Sequence, residues 1–338
     1  MNQEIQENQE KPEKPEKRKQ KERILYHSRK ETIVIFNTVA DTTLTSAIIS
    51  TSILPEIRYR FKKAKIYIIS DYPEIYRHNP LVSGVFRSKD RDFFDKLIKK
   101  HNTVQERVVF LTDHPFHYRG YTANRIHITC SWLNKLNLYD SVTYRRYEPK
   151  AICLYLTIKE IANAREYLDS RGINKDLPTV VVDFTTERNI ASIDYSLIQN
   201  NINKLKNVYN FIQINGNPVF DGCIQFNTGY IREVISILHL VDNVICSDNY
   251  MHHITQALGT PTTCIWTSTS PAIHGYSTQR NIYMSRCKTP QCGRPSPYLY
   301  DKNWICPNIQ NGICPCGDYL PETIDKVFTN IEKKLVVI

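Results

Sequence analysis

An acid, two histidines and a run of hydroxyls fall close together in the second half of the chain. Asp248 and Asn249 are followed by Tyr250, His252 and His253, and then by Thr267, Ser268, Thr269 and Ser270. The residues between them read as positioning elements. Val244, Ile245 and Cys246 form a buried strand, 247–250 a polar turn, and the two histidines ride on a helix that stops at Leu258-Gly259-Thr260-Pro261. A second strand runs from Thr263 to Trp266. In such a strand–helix–strand unit, ligands sit at the carboxyl ends of the strands and the helix N-terminus receives phosphate. An ordinary crossover with polar surface residues has the same pattern.

Two further acids close apolar runs. Asp41 follows the strand expected over Ile33 to Phe36, and Asp113 ends ERVVFLTD with His114, His117 and Arg119 nearby. Each is placed to take a proton from a hydroxyl. Asp41, before Thr42 and Thr43, equally suits a helix N-cap, and Asp113 an exposed loop. A third group is thiolate chemistry. Cys287, Cys292, Cys306, Cys314 and Cys316 are separated by four, thirteen, seven and one residues. That spacing does not match a paired CxxC zinc ribbon. The insert around them, 285–318, is rich in proline and poor in helix signals. A four-cysteine site holding zinc or iron would staple such a loop, and free thiols or disulfides are the alternative.

The elements that must carry these groups alternate along the chain. Ile33 to Phe36, 64–69, a short run around Val85, and 106–113 read as strands. A helix ending near Pro55, an amphipathic helix from Lys89 to His101 and one in NRIHITCSWLNKLNL lie between and after them. A second series follows the linker from Gly172 to Pro178. TVVVDF and NFIQING are strands, while Ser196 to Leu205, 231–241 and the last helix, Pro321 to Lys334, are helical; Ile158 to Leu168 forms a helix before the linker. This alternation specifies an α/β fold with open, mainly parallel sheets. The expected division is 31–155 and 175–338, each of ordinary domain size, with a ligand in the cleft between them.

The 338 residues carry a net charge of +10, and a basic arm over 1–30, rich in lysine and arginine, reads as disordered and could touch a polyanion, nucleic acid or an anionic membrane. A solvated tail is the plainer account of it. No apolar run approaches the ~18 residues of a membrane span, and the N-terminus has no secretory pattern. A cytoplasmic protein is expected. Cys130, Cys153, Cys223, Cys246 and Cys264 then read as core thiols in a reducing compartment.

The segment DNYMHHITQALGTP resembles glycosyltransferase family 9, the bacterial lipopolysaccharide heptosyltransferases. The family pattern there is D-[ST]-G-x-x-H-x-x-x-A-L-G-T-P, matched by Asp248, His253, Ala257, Leu258, Gly259, Thr260 and Pro261. Ile33 to Phe36, Ala40-Asp41 and Leu44-Thr45 are similar to the family's opening strand, its Gly-Asp and its helix start. KKAKIYIISDYPEIYRHNPLVSGVF is similar to its next strand and the Asn-Pro segment after it. The likeness spans most of 31–330. It implies two facing Rossmann-like domains of the GT-B type, with the acceptor bound by the first. It also implies inverting transfer of a sugar from a nucleotide donor, ADP-linked in the family. Asp41 falls at the family's base position, and Asp113 is a second candidate. The donor side falls to Asp248, Asn249, Tyr250, His253, Thr267 and Ser268, with Thr185 and Arg188 placed to supply charge to the leaving diphosphate. The resemblance implies no metal of the DxD type, so no catalytic metal is expected. The autotransporter heptosyltransferases carry a cysteine-coordinated iron finger in the region of the cysteine cluster, which favours metal there.

The departures are specific. The family glycine after Asp-[ST] is Tyr250 and the glycine before the first acid is Ala40. The family lysine after the first strand of the second domain has Arg188 as its nearest cation. A tyrosine lacks glycine's access to positive φ, so close backbone approach to phosphate is not expected there, and its ring could stack on a base or sugar instead. The expected reaction is therefore sugar transfer by a divergent member, to a saccharide, a protein hydroxyl or a modified nucleobase. A non-catalytic nucleotide-sugar-binding protein and a nucleic-acid-binding protein of the same fold are the alternatives.

Overall fold

The computed structural model describes residues 32–38, 43–90, 92, 99, 107–112, 127–130, 151–185, 193–216, 219–266, 270–282, 321–329 and 331. The apolar runs form strands. In the first half these are β1 (Thr32–Asn37), β2 (Lys65–Ile69), β3 (Gly84–Phe86) and β4 (Arg107–Thr112), in the order β3-β2-β1-β4 and all parallel. In the second half β5 (Thr179–Asp183), β6 (Asn210–Ile214), β7 (Cys223–Phe226), β8 (Asn243–Ser247), β9 (Thr262–Ile265) and β10 (Arg280–Ile282) form a second parallel sheet. Its order is β10-β9-β8-β5-β6-β7. The α/β fold with parallel sheets is as the sequence implies.

Each sheet reverses its direction of winding once. The chain runs outward from β1 through β2 to β3, then returns to β4 on the other side of β1. It does the same from β5 through β6 to β7, then back to β8. The two switch points, β1/β4 and β5/β8, are where an open α/β sheet leaves a crevice at its carboxyl edge. The segments that follow β1 and β4 in the chain contain Asp41 and Asp113, both outside the described residues.

Helices cover the sheets. α1 (Leu44–Ser50) runs through a 3₁₀ turn into α2 (Leu54–Arg60). Pro55 sits in the first turn of α2, where its missing N–H is not needed, so it does not end the helix as its sequence position suggested. α3 (Ile158–Ser170) opens with a full capping box between Thr157 and Glu160. In the second half follow α4 (Tyr195–Leu205), α5 (Ile231–Leu240), α6 (Tyr250–Leu258), α7 (Pro271–His274) and α8 (Pro321–Val327). α8 is shorter than the sequence implied. Phe328 N–H bonds to Asp325 O, and the Thr329 hydroxyl caps Lys326 O at 2.9 Å, which tightens the chain into a turn.

Alternate residues of β5 serve two cores. Val180 and Val182 join Ile198 and Ile202 of α4 and Ile324 and Val327 of α8. Val181 faces the other way, into a cluster shared with α5 and α6. That cluster continues without a break to Val34, Phe36, Ile48 and Ile53 of the first half. α1 packs on α6, and the 3₁₀ turn at Pro73–Tyr76 packs on α5. A strap of irregular chain, 151–157, is bonded to both halves. Cys153 N–H donates to Thr51 Oγ1 and Asn79 donates to Cys153 O. On the other side Arg232 of α5 grips Tyr155 O and forms two 2.7 Å bonds with the carboxylate of Glu160. Burial alone would raise the Glu160 carboxyl, but the bonds from Arg232 and Thr157 hold it at about 2.

Candidate functional site

The carboxyl ends of β5 and β8 lie side by side, with Asp183 in register with Cys246. Four polar residues tie the two loops that leave them. Asp183 Oδ1 accepts from Thr185 Oγ1 at 2.6 Å and from Thr185 N–H at 2.8 Å. The Thr185 carbonyl in turn accepts from Ser247 Oγ at 2.9 Å and from Asn249 Nδ2 at 3.0 Å. The other end of the Asn249 amide accepts from Met251 N–H at 2.9 Å, which makes it the N-cap of α6. Asn249 is thus engaged at both ends, and Thr185, whose hydroxyl proton is spent on Asp183, presents an acceptor. Asp183 is only 3% exposed; burial pushes its carboxyl up to about 6 against the lowering pull of its bonds to Thr185 and Asn249.

α6 starts at Tyr250 and ends on Gly259, whose φ of +67° closes the helix in the left-handed region. The backbone at Tyr250 is helical and has no positive φ that would call for a glycine. Tyr250 lies inside the first helical turn, and its ring packs against the apolar cluster. What the tyrosine changes is side-chain volume at the mouth of the helix N-terminus.

The histidines point inward. Residues Met251 to Thr255 are all buried, so α6 has no solvent face over its first turns, and His252 and His253 have no exposed surface. They are joined by His127, His274 and Tyr276. The His253 Nδ1 and Tyr276 hydroxyl share a 2.8 Å bond, and the His252 ring lies against the edge of Trp266. Thr129 N–H donates to His127 Nδ1, so the His127 proton is on Nε2, which donates to Gly275 O at 2.9 Å. A side chain at Gly275 would strike Pro271 O and Trp266, so only glycine lets this approach occur. Asp248 stands at the rim of the group, its Oδ1 3.4 Å from His252 Nε2 and 3.8 Å from His274 Nδ1. Burial, then His274, lowers His127 to about 3. Burial, then His252 and His274, lowers His253 well below the usual histidine range. Both ring nitrogens of His252 and Nε2 of His253 lack a hydrogen-bond partner.

Of the expected donor-side residues, the structure therefore brings Thr185, Asp248 and Asn249 to one edge of the sheet, with Tyr250 beside them and His253 buried in the core. Arg188, Thr267, Ser268, both candidate bases and the five clustered cysteines lie outside the described residues. Ser270, the last hydroxyl of its run, caps α7 by accepting from Ala272 N–H. Asp183 was not singled out in the sequence, where it ends an apolar strand; an acid closing a run of valines at a switch point is the signal that marks it. Thr43, not Asp41, caps α1, accepting from Ser46 N–H at 3.2 Å. A separate groove of about 320 Å³, lined by Asn243, Thr262, Thr263 and Arg280, lies at the amino ends of β8 and β9, on the opposite edge. Of the five other cysteines, Cys130, Cys246 and Cys264 are buried as expected, while Cys153 and Cys223 are only partly so.

Solved structures share this fold. A glycosyltransferase family 9 protein from Veillonella parvula superposes with a TM-score of 0.65 at 12% identity, over 88% of this chain and 96% of that one. The fold is that of these transferases. ADP-heptose LPS heptosyltransferase II of E. coli gives 0.57 at 9% identity, over 88% and 97% of the two chains. The dodecameric iron-containing heptosyltransferase TibC of enterotoxigenic E. coli, solved with ADP-D-β-D-heptose, gives 0.58 at 13% identity, over 88% and 76%. No protein-family model matches the sequence. No curated protein matches it either. Among the described residues no helix is long and apolar enough to cross a membrane.

Proposed function

We propose that the chain is an enzyme, a divergent glycosyltransferase of family 9. It moves a heptose or other hexose-like unit from a nucleoside-diphosphate donor to an acceptor hydroxyl with inversion. The observation that carries the reading is the β5/β8 switch point, where Thr185, Asp248 and the N-terminus of α6 meet in a fold shared with heptosyltransferases. Helix N–H groups favour the diphosphate, and Asp248 accepts from sugar hydroxyls. Arg188, Thr267 and Ser268 complete the donor side. An ADP-linked sugar is favoured because TibC was solved with one.

The first half receives the acceptor, facing the donor half as a second Rossmann-like domain. Asp41 takes the acceptor proton as the glycosidic carbon is attacked, and Asp113 is the reserve base. Capping of α1 by Thr43 supports Asp41 in this role, since the helix does not need it. Cys287, Cys292, Cys306 and one of Cys314 or Cys316 would hold a structural iron or zinc. Thiolates suit either ion, and TibC contains iron. The test is a panel of nucleotide sugars offered to the full chain, following hydrolysis and transfer. Turnover of an ADP-sugar that falls about a hundredfold or more in Asp41→Ala is the expected result. Unchanged turnover in that variant removes Asp41 as the base, and no binding of any nucleotide sugar removes the whole reading. Metal analysis of the purified protein decides the cysteine cluster.

A further inference from the structure

Asp183 is a buried acid that the proposed reaction does not use. It ends the central strand β5, directly at the switch point. Its carboxylate holds Thr185 by both hydroxyl and N–H, and Thr185 holds Ser247 and Asn249 through its carbonyl. Thr185 and the start of the β8 loop are therefore joined at the Thr185 carbonyl, and Asp183 fixes the turn that presents it. We infer that Asp183 is a positioning residue for the donor's nucleoside diphosphate, setting the spacing of the two loops that receive it and responding to its charge. The inference rests on the donor-binding reading above.

The charge argument follows from what faces the acid. Thr185 and Asn249 touch it, Cys246 is its register partner on β8, and Tyr195 of α4 is close enough for the acid's charge to raise its phenol. Among these described neighbours none is a cation. A diphosphate arriving at the crevice adds negative charge beside a carboxylate that burial has already made easier to protonate. Binding then favours the protonated acid, and donor affinity falls as pH rises through about 6. A hydroxyl-to-amide tie, as in Asp183→Asn, keeps the Oδ1 acceptor and removes the charge response.

The experiment is calorimetric titration of the full chain with ADP and UDP between about pH 5 and 8, for the parent protein, Asp183→Asn and Thr185→Val, with melting curves for each. In the parent, affinity is expected to weaken by up to about tenfold for each pH unit over which the acid ionises. Asp183→Asn is expected to lose that part of the pH dependence while melting cooperatively. Thr185→Val, which severs the hydroxyl end of the tie but leaves the acid, is expected to bind about tenfold more weakly at acid pH. The nucleotide's β-phosphate is the same in all three titrations, so the difference between the parent and Asp183→Asn profiles reports Asp183. If Asp183→Asn and the parent share one profile and one affinity, the acid is an ordinary core group and the inference is overturned. If a folded parent binds no nucleoside diphosphate at any pH, the donor-site reading fails before it.

Discussion

The two sheets finish their switch-point strands on buried polar clusters of opposite character. At the first sheet the cluster is made of neutral hydroxyls: Tyr76 bonds Ser50 at 2.6 Å, lies 3.4 Å from Thr38 and reaches Ala47 O. Burial lifts the Tyr76 phenol further above its ordinary range, so it stays neutral. At the second sheet the cluster is built from ionisable groups, Asp183 and Asp248 with His127, His252, His253 and His274. Hydroxyls donate and accept at once, so the first cluster satisfies itself without charge. The second keeps ring nitrogens of His252 and His253 unpartnered. Unmet hydrogen-bonding capacity in a core is costly, and folds tolerate it mainly where function requires it. The half proposed to hold a charged donor is the half whose core is sensitive to charge.

The largest expected effect tests whether the halves are one cooperative unit. Arg232 bonds the strap that is also tied to Thr51 and Asn79. Its side chain is 4% exposed and paired with Glu160. Arg232→Ala leaves the partner carboxylate unmatched and is expected to cost about 3–5 kcal/mol. A single calorimetric transition at lower temperature keeps the halves coupled. Two transitions would turn the comparison into one between independently folding units.

Next in size is acid. His127 and His253 have lowered folded values, so the unfolded chain binds protons first as pH falls. Their contribution to stability is complete above about 6.5 and is lost as pH falls below it, for His127 down to about 3 at about 1.4 kcal/mol per pH unit, and for His253 in the same direction. For His127 alone the loss by pH 5 is about 2 kcal/mol. Asp183 acts in the opposite sense, since its raised value favours the folded state below about 6, and so it offsets part of the loss. Thermal melts should fall steeply below about pH 6.5, with a shallower slope in His127→Asn. Equal melting temperatures at about pH 5 and 7.5 would remove the contrast between the clusters. The sharpening control is Tyr76→Phe, expected to cost about 1 kcal/mol at either pH, because the group it deletes does not titrate in that range.

This contrast was only half legible in the sequence. Apolar runs gave the strands, and the Leu258-Gly259-Thr260-Pro261 stop gave the end of α6, while its N-cap at Asn249 came only from the structure. The fate of the histidines was hidden, because reading them as edge groups presumes that the first turns of α6 have a wet face, and that face is covered by residues distant in sequence such as Trp266, Tyr276 and His127. β7 was unreadable for a related reason. Its Gln225 looks like a surface residue, yet it bonds the buried Gln213 on the neighbouring strand at 3.0 Å. Asp183 was silent because nothing local distinguishes a strand-end acid that caps a turn from one that ties two loops. Only the strand order does, and strand order is set by contacts far apart in the chain.

The smallest expected change in stability carries a decision about function. Thr43 caps α1 and also bonds Ser46 Oγ, so Thr43→Ala should cost about 1 kcal/mol. Asp41 stands two residues earlier, and with the cap already supplied its replacement by Ala should change stability by less than about 0.5 kcal/mol. The pair of variants therefore separates two meanings of the Asp-Thr-Thr sequence. If Asp41→Ala loses as much stability as Thr43→Ala, the acid is part of the helix start, and any loss of sugar transfer in that variant is a folding effect. If only Thr43→Ala is destabilised while only Asp41→Ala stops transfer, the two roles fall on different residues, and the acid that follows β1 serves chemistry rather than structure.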